Sequence, residues 1–341
     1  MTPNEVETGV QSPSWRVELA RYARPSVPRS LTDLATSVLP YLLLTALIVW
    51  LAPRSVLLAL LLAPLAGGFL LRSYIIFHDC AHGSFLPGKH LNIWLGRTLG
   101  LLVYSDFDSW RHSHAVHHAT AGDLDRRGTG DVPTWTVAEY NGHSRMGRLG
   151  YWLFRHPLVM FVLGPIWALI ISPRLIKRSQ RPRIRRSILF TNIAVVAMVT
   201  GLVWLLGWQI YLIAIWPAAL IAGAAGVFLF YVQHQFEDVY WESGDNWSYD
   251  DAALRGSSYL HLPRILQFFT GNIGFHHVHH LSARVPNYNL PRAHKDHPVF
   301  ASVPTLTLRT ALPTVRLKLW DETTGRLVTF REARATRGAT L

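Results

Sequence analysis

The sequence predicts an all-α integral membrane protein: four transmembrane helices in two hairpins, with a cytoplasmic helical cap holding a metal site. Three observations carry this expectation. Half of the 341 residues are apolar and only 16% are charged. Three stretches lack any charged side chain, Leu34–Pro53, Ser55–Leu71 and the 47 residues from Ser187 to Gln233. Three short histidine clusters lie in the more polar sequence outside them: His78-Asp-Cys-Ala-His82, His114-Ala-Val-His117-His118 and His276-His277-Val-His279-His280. A span needs about 20 apolar residues, so the longest stretch accommodates two helices and a turn.

In chain order, residues 1–33 read as a cytoplasmic arm, whose polar character does not resemble a cleaved signal peptide. The first span is 34–53 and the second 55–77, joined at Pro53-Arg54. A polar segment, 78–186, carries two embedded apolar stretches, 91–104 and 157–173. The third and fourth spans are 188–207 and 210–232, with Gly207-Trp208-Gln209 as their turn, because Gly breaks helices and Trp favours the interface. The main domain closes near residue 295, and 296–341 form a cytoplasmic tail. Were either embedded stretch to cross the membrane, the histidine clusters would be divided between its two faces. A shared site therefore requires both to be interfacial or re-entrant, which lengths of 14 and 17 residues permit.

The net charge of +12 does not point to nucleic acid, because the basic residues gather beside the apolar runs, in Arg16–Arg29 and Arg174–Arg186. That placement suits flanks facing anionic lipid. It also puts the termini and the clusters on the cytoplasmic side, since the opposite loops offer only Arg54 and an uncharged turn. A single cysteine excludes a disulfide framework and any Cys-based zinc or iron–sulfur site.

Residues three and four apart share one helix face, so each cluster points two or three imidazoles the same way. Neutral imidazole ligates iron, zinc and copper. Eight such side chains, His78, His82, His114, His117, His118, His276, His279 and His280, are too many for one ion and indicate two. His234, at the end of the fourth span, is a ninth candidate. Asp79, Asp123, Asp125, Asp131, Glu237 and Asp238 are near enough in sequence to accept the second ring N–H of a ligand. Cys80 points off the face of its neighbours. A metal transporter is the competing class, but transporters place their ligands inside the spans. Here Arg72 is the only charge there.

At these residues the chain resembles the membrane fatty acid desaturases, in particular the acyl-lipid, omega-6-like bacterial branch. The matching runs are His78-Asp-Cys-Ala-His82-Gly-Ser, His114-Ala-Val-His117-His118-Ala-Thr and Gly271-Asn-Ile-Gly-Phe-His276-His-Val-His279-His280, with Leu281–Pro291 following. The resemblance implies a non-haem di-iron centre with dioxygen as co-substrate, inserting a cis double bond into acyl chains of membrane lipids. By analogy with acyl-CoA relatives, one iron takes His78, His82, His114, His118 and His280, and the other His117, His234, His276 and His279. Those relatives also hold a water through an asparagine four residues before the lone histidine. That position is Phe230 here, and Asn272 is the possible substitute. With no cofactor-binding fingerprint or haem motif in the chain, electrons must come from an external ferredoxin- or cytochrome-type donor with its reductase. The same ligands also suit a hydroxylase or ketolase acting on an alkane, sterol or carotenoid.

Other histidines, His90, His112, His143, His156, His261, His277, His294 and His297, fall outside the matched spacing; His112 and His277, nearest the clusters, read as solvent-exposed side chains, with support of a ligand as the alternative. Trp135, Tyr140, Tyr151 and Trp152 read as interfacial anchors. Gly223 and Gly226 read as close-packing positions. The tail from Val315 to Phe330 is either a short hairpin about Thr324-Gly325 or a frayed helix.

Overall fold

The computed structural model describes residues 14–338. The start of the expected arm, 1–13, and the end of the expected tail, 339–341, lie outside the described residues. The uncharged stretches form four helices long and apolar enough to cross a membrane: Val27–Leu51, Val56–His82, Pro182–Leu206 and Trp208–His234. These run past the expected limits because a backbone hydrogen-bond ladder does not stop where charge begins. The second helix carries Arg72, His78, Asp79 and His82, and the fourth ends on His234. Gly83 then stops the second helix at φ 68°, its N–H donating to the Asp79 and Cys80 carbonyls. That left-handed cap costs glycine no Cβ clash. Gly207, at φ 79°, separates the third helix from the fourth.

The second and fourth helices pack along each other through small residues. Ala59, Ala63 and Ala66 are buried on one, and Ala214, Ala218 and Ala222 on the other. A Cβ on Gly67 would lie 3.0 Å from the Ala218 carbonyl oxygen, so the close approach depends on glycine. The outward faces remain apolar: Leu43, Leu57, Phe190 and Trp204 are all exposed. In water such a surface would drive association, whereas in lipid it is the expected exterior.

Between the two hairpins lie helices Lys89–Leu102 and Phe107–Thr120. The first packs on the second spanning helix and also on the start of the other helix, where Gly96 meets Phe107 and Gly100 meets the Ser105 carbonyl. Helix Arg145–Phe154 then bends by 58° into a segment, Val159–Arg174. That segment consists of two π turns, Val159–Leu163 and Trp167–Ile171, around Gly164-Pro165, and ends in a 3₁₀ turn.

Among the described residues, five short strands interrupt the helical pattern. Trp135–Thr136 runs parallel to Leu319–Asp321, which pairs antiparallel with Arg326–Val328, and Tyr259–His261 runs parallel to Thr305–Thr307. The tail is thus a hairpin, turning at Gly325 with φ 64°. It covers the aromatic group expected at the interface. Tyr140 and Tyr151 are buried rather than interfacial, Tyr151 stacks on Trp135 at 4.2 Å, and its hydroxyl donates to the Lys318 carbonyl at 2.6 Å. Beside them Arg155, fully buried, donates to the carbonyls of Pro133 and Leu317, to the Thr134 and Tyr231 hydroxyls and to Gln235 Oε1. One guanidinium thereby ties the fourth helix, the loop before Trp135 and the tail together.

Candidate metal centre

Each histidine cluster sits where an element ends or is capped. His78 and His82 occupy the last turns of the second spanning helix, and His234 is the last residue of the fourth. His114, His117 and His118 lie on helix Phe107–Thr120, whose N-cap Asp106 accepts from the Ser109 N–H at 2.7 Å. Asp106 also accepts from Ser187 and Thr191 of the third spanning helix, which fixes the direction of the histidine-bearing helix. The short helix His276–Leu281 follows a tight reversal, with Gly271 and Asn272 at φ 50° and 57°. At Gly274 a Cβ would come within 2.5 Å of the Leu260 carbonyl oxygen.

The nine candidate histidines converge in two groups. His78, His82, His114, His118 and His279 form one, and His117, His234, His276 and His280 the other, with one ring nitrogen from each residue lying within 4.8 Å of the others in its group. The division differs from that implied by the acyl-CoA relatives: His279 belongs with the first cluster and His280 with His234. The physical reason is the helical turn of about 100° between neighbouring residues, which sends adjacent histidines to different sides. His279 Nε2 is 3.0 Å from His78 Nε2 and 2.9 Å from His118 Nε2. The His280 ring stacks on His118 at 4.2 Å and lies 4.7 Å from the His234 ring.

The donor set fits metal ions. Nε2 of His82, His117 and His280 is buried without a hydrogen-bond partner. Facing pairs such as His234 and His276, with Nε2 atoms 2.8 Å apart, can share only one proton between two lone pairs. Two ligands about 2.1 Å from one ion at a right angle would stand about 3 Å apart, near the observed separations. Burial, and then the neighbouring imidazoles, hold His114, His118, His276, His279 and His280 well below the usual histidine range. They are neutral near pH 7, the form that ligates.

Of the six carboxylates proposed as outer partners, two touch a ligand. Asp79 lies 3.1 Å from His78 Nδ1, and Asp131 is paired with His117 Nδ1. The others are engaged elsewhere: Asp123 with Arg126, Asp125 with the Gly244 N–H, and Glu237 and Asp238 with Arg326. His234 Nδ1 instead faces the Gly256 carbonyl at 3.1 Å. Asp79 continues inward. Its Oδ2 accepts from the Asn287 backbone N–H and side-chain amide at 2.7 and 3.0 Å, that amide also donates to Asp33, and Asp33 pairs with Arg72. Sequence reasoning missed Asn287 and Asp33. The available signal was Arg72, since a charge inside a span requires a partner.

Cys80 is buried among apolar side chains, away from the groups. Asn272 donates its amide to the Asn287 carbonyl, and the Phe230 ring lies 5.1 Å from that of His117. His277 is a correction: it is fully buried, its Nε2 2.9 Å from His294 Nδ1, and burial together with His294 lowers its pKa to about 3. His297 is likewise buried, facing Glu18. Against the groups lies a cavity of about 570 Å³, reached by His78, His114, His276, Phe230 and Gln233 and otherwise lined largely by apolar side chains. That size suits a small organic ligand.

The family model for fatty acid desaturases matches residues 55–305. A fatty acid desaturase of Bacillus subtilis is 46% identical over 314 residues, covering 92% of this chain and 89% of the relative. Two Synechocystis proteins, an sn-1 acyl-lipid omega-3 desaturase (ferredoxin) and an sn-1 oleoyl-lipid 12-desaturase, are each 28% identical. Those matches cover 64% and 67% of this chain, and 62% and 65% of the relatives. The chain belongs to the fatty acid desaturase family, a family of oxidoreductases.

Proposed function

We propose that this protein is an oxygen-dependent desaturase that introduces a cis double bond into acyl chains carried by membrane lipids, using two iron ions held by the nine histidines. The single observation behind this reading is the pair of imidazole groups set against a cavity between apolar helices. His78, His82, His114, His118 and His279 would hold one ion, and His117, His234, His276 and His280 the other. Bound iron supplies the activation of dioxygen and removal of hydrogen from unactivated carbon, chemistry that acid–base side chains cannot begin. The overall change balances as –CH₂–CH₂– with O₂, two electrons and two protons giving –CH=CH– and two waters.

The chain's own residues do the rest. Asp79 and Asp131 orient His78 and His117, the Gly256 carbonyl orients His234, and largely apolar walls line the cavity beside them. Electrons come from a separate ferredoxin- or cytochrome-type carrier with its reductase. The name of one Synechocystis relative includes ferredoxin. The second and fourth helices both end at the histidines, so 82 and 234 share one face of the membrane. If the third and fourth helices cross, residue 182 shares it too, and the bent segment Val159–Arg174 must be re-entrant rather than a fifth span. The excess of Lys and Arg from Arg174 to Arg186 makes that face cytoplasmic.

A hydroxylase or ketolase would use the same ligands, and product analysis separates the two. Expression in a host supplied with defined saturated and monounsaturated chains, followed by gas chromatography of the extracted lipids, is expected to give new cis double bonds. Oxygenated products in their place would overturn the assignment.

A further inference from the structure

The cavity beside the histidines has two mouths. Most of its lining side chains are buried or half-buried, but Gly128, Gly130, Trp167, Ala168 and Ser172 line it while being exposed. A residue that faces both cavity and exterior marks an opening. The two glycines belong to a polar loop, Arg126-Arg127-Gly128-Thr129-Gly130-Asp131, at the end occupied by Ser113 and His114. The other three belong to the π-wound segment, whose outward side chains Val162, Leu163, Trp167 and Ile171 are exposed and apolar. One mouth therefore suits water and the other hydrocarbon.

At the second mouth the π-wound segment packs on the fourth helix at a glycine. A Cβ on Gly223 of the fourth helix would lie 2.8 Å from a Leu169 methyl and 2.9 Å from Pro165 Cβ. Two π turns flank Gly164-Pro165, and Pro165 has no N–H to hold the helical ladder there. Such turns are frequent at functional sites. The opening is flanked by Trp167 and bordered by the small side chain of Ala168. On the fourth helix the cavity lining runs from Ala219 to Gln233, about 21 Å at 1.5 Å per residue, so this slot is continuous with the space beside His276.

We infer that the acyl chain of a bilayer lipid reaches the metal groups sideways through the slot at Trp167, Ala168 and Ser172, leaving its head group outside, and that Ala168 and Gly223 set the width of this port. The inference rests on the desaturase reading for what happens after binding. A chain passing this way stays in apolar surroundings throughout, whereas a water-soluble acyl thioester would have to use the glycine mouth. The segment's exposed apolar face and the continuity of the cavity favour the lipid-borne chain.

The test places bulk at each mouth in iron-loaded protein reconstituted into phosphatidylcholine vesicles and supplied with air, a ferredoxin, its reductase and a reduced nicotinamide cofactor. Ala168→Cys, labelled after folding with a bulky maleimide, is expected to lose at least tenfold in desaturation of the vesicle lipid relative to the same unlabelled variant. Cys80, being buried, is spared. Thr129→Trp, beside the glycine mouth, is expected to stay within twofold of wild type. Substrate access is also read without turnover, by crosslinking a phosphatidylcholine with a mid-chain photoreactive group to Tyr74 or Phe230. The label at 168 should abolish that crosslink. A labelled variant that keeps both activity and crosslink, or a Thr129→Trp variant that loses both, would overturn the port. A crosslink blocked by the label, without desaturation in wild type, would uphold the port and remove the desaturase reading instead.

Discussion

Asn287 holds two buried carboxylates in place. Its backbone N–H and side-chain amide donate to Asp79, and the same amide donates to Asp33. Asp79 in turn touches His78, while Asp33 pairs with Arg72 inside the bundle. Replacing the amide by an apolar group of similar size would remove one donor from each carboxylate, and a buried acceptor that loses its donor costs about 1–3 kcal/mol. Asn287→Leu is therefore expected to lower the thermal midpoint in mild detergent and to reduce iron retention by the first histidine group, read as iron per chain after gel filtration. Unchanged iron content and midpoint would remove Asn287 from the support of His78. Asp131 offers a parallel case at the other group: Asp131→Asn keeps the shape but not the charge facing His117. Activity is expected to fall by about tenfold or more, in line with losses of outer partners at metal sites.

At the scale of elements, the site depends on where helices stop and on what clamps their ends. Arg155 binds the fourth helix next to His234, through Tyr231 and Gln235, to the loop leading from Asp131 and to the tail. Arg155→Met would leave the Pro133 carbonyl without its donor and weaken the shared bonds at Gln235, Tyr231 and Leu317, at about 1–3 kcal/mol for each buried acceptor left unsatisfied. The expected outcome is a clear drop in thermal midpoint with loss of iron, whereas a variant as stable as wild type would contradict the clamp. Gly223→Leu is expected to cost about 1–3 kcal/mol by overpacking against Leu169 and Pro165. Much of this element-level order was legible from the chain. Uncharged stretches give helices, glycine ends the second and third of them, and i,i+3 and i,i+4 spacing gives a common face for each histidine cluster. The assignment of His279 and His280 was not legible, because adjacent residues diverge and the docking of a six-residue helix decides which group each meets. Nor was Asn287, some 200 residues from Asp79, or the clamp at Arg155, whose partners are two backbone carbonyls and scattered hydroxyl and amide side chains that share no spacing in the sequence.

For the whole molecule, polar groups must be paid for wherever the apolar bundle encloses them. Arg155 and Lys318 are both buried, and no carboxylate among the described residues pairs with either. Burial and the nearby Arg155 charge lower Lys318 to about 7 from its ordinary 10.5. Between those values the unfolded chain binds a proton that the folded protein does not, so this lysine makes stability rise with pH from about 7 to about 10.5 and flatten below. The difference in thermal midpoint between wild type and Lys318→Met is expected to change across that range, and a constant difference would show an ordinary lysine. The central claim is that three distant clusters and His234 make two separate metal sites. Iron analysis tests it most directly. Wild type should hold about two iron ions per chain, and both His82→Ala/His279→Ala and His234→Ala/His280→Ala should hold about one, matching the two groups. One ion in wild type, or complete loss of iron from either double variant, would contradict the account.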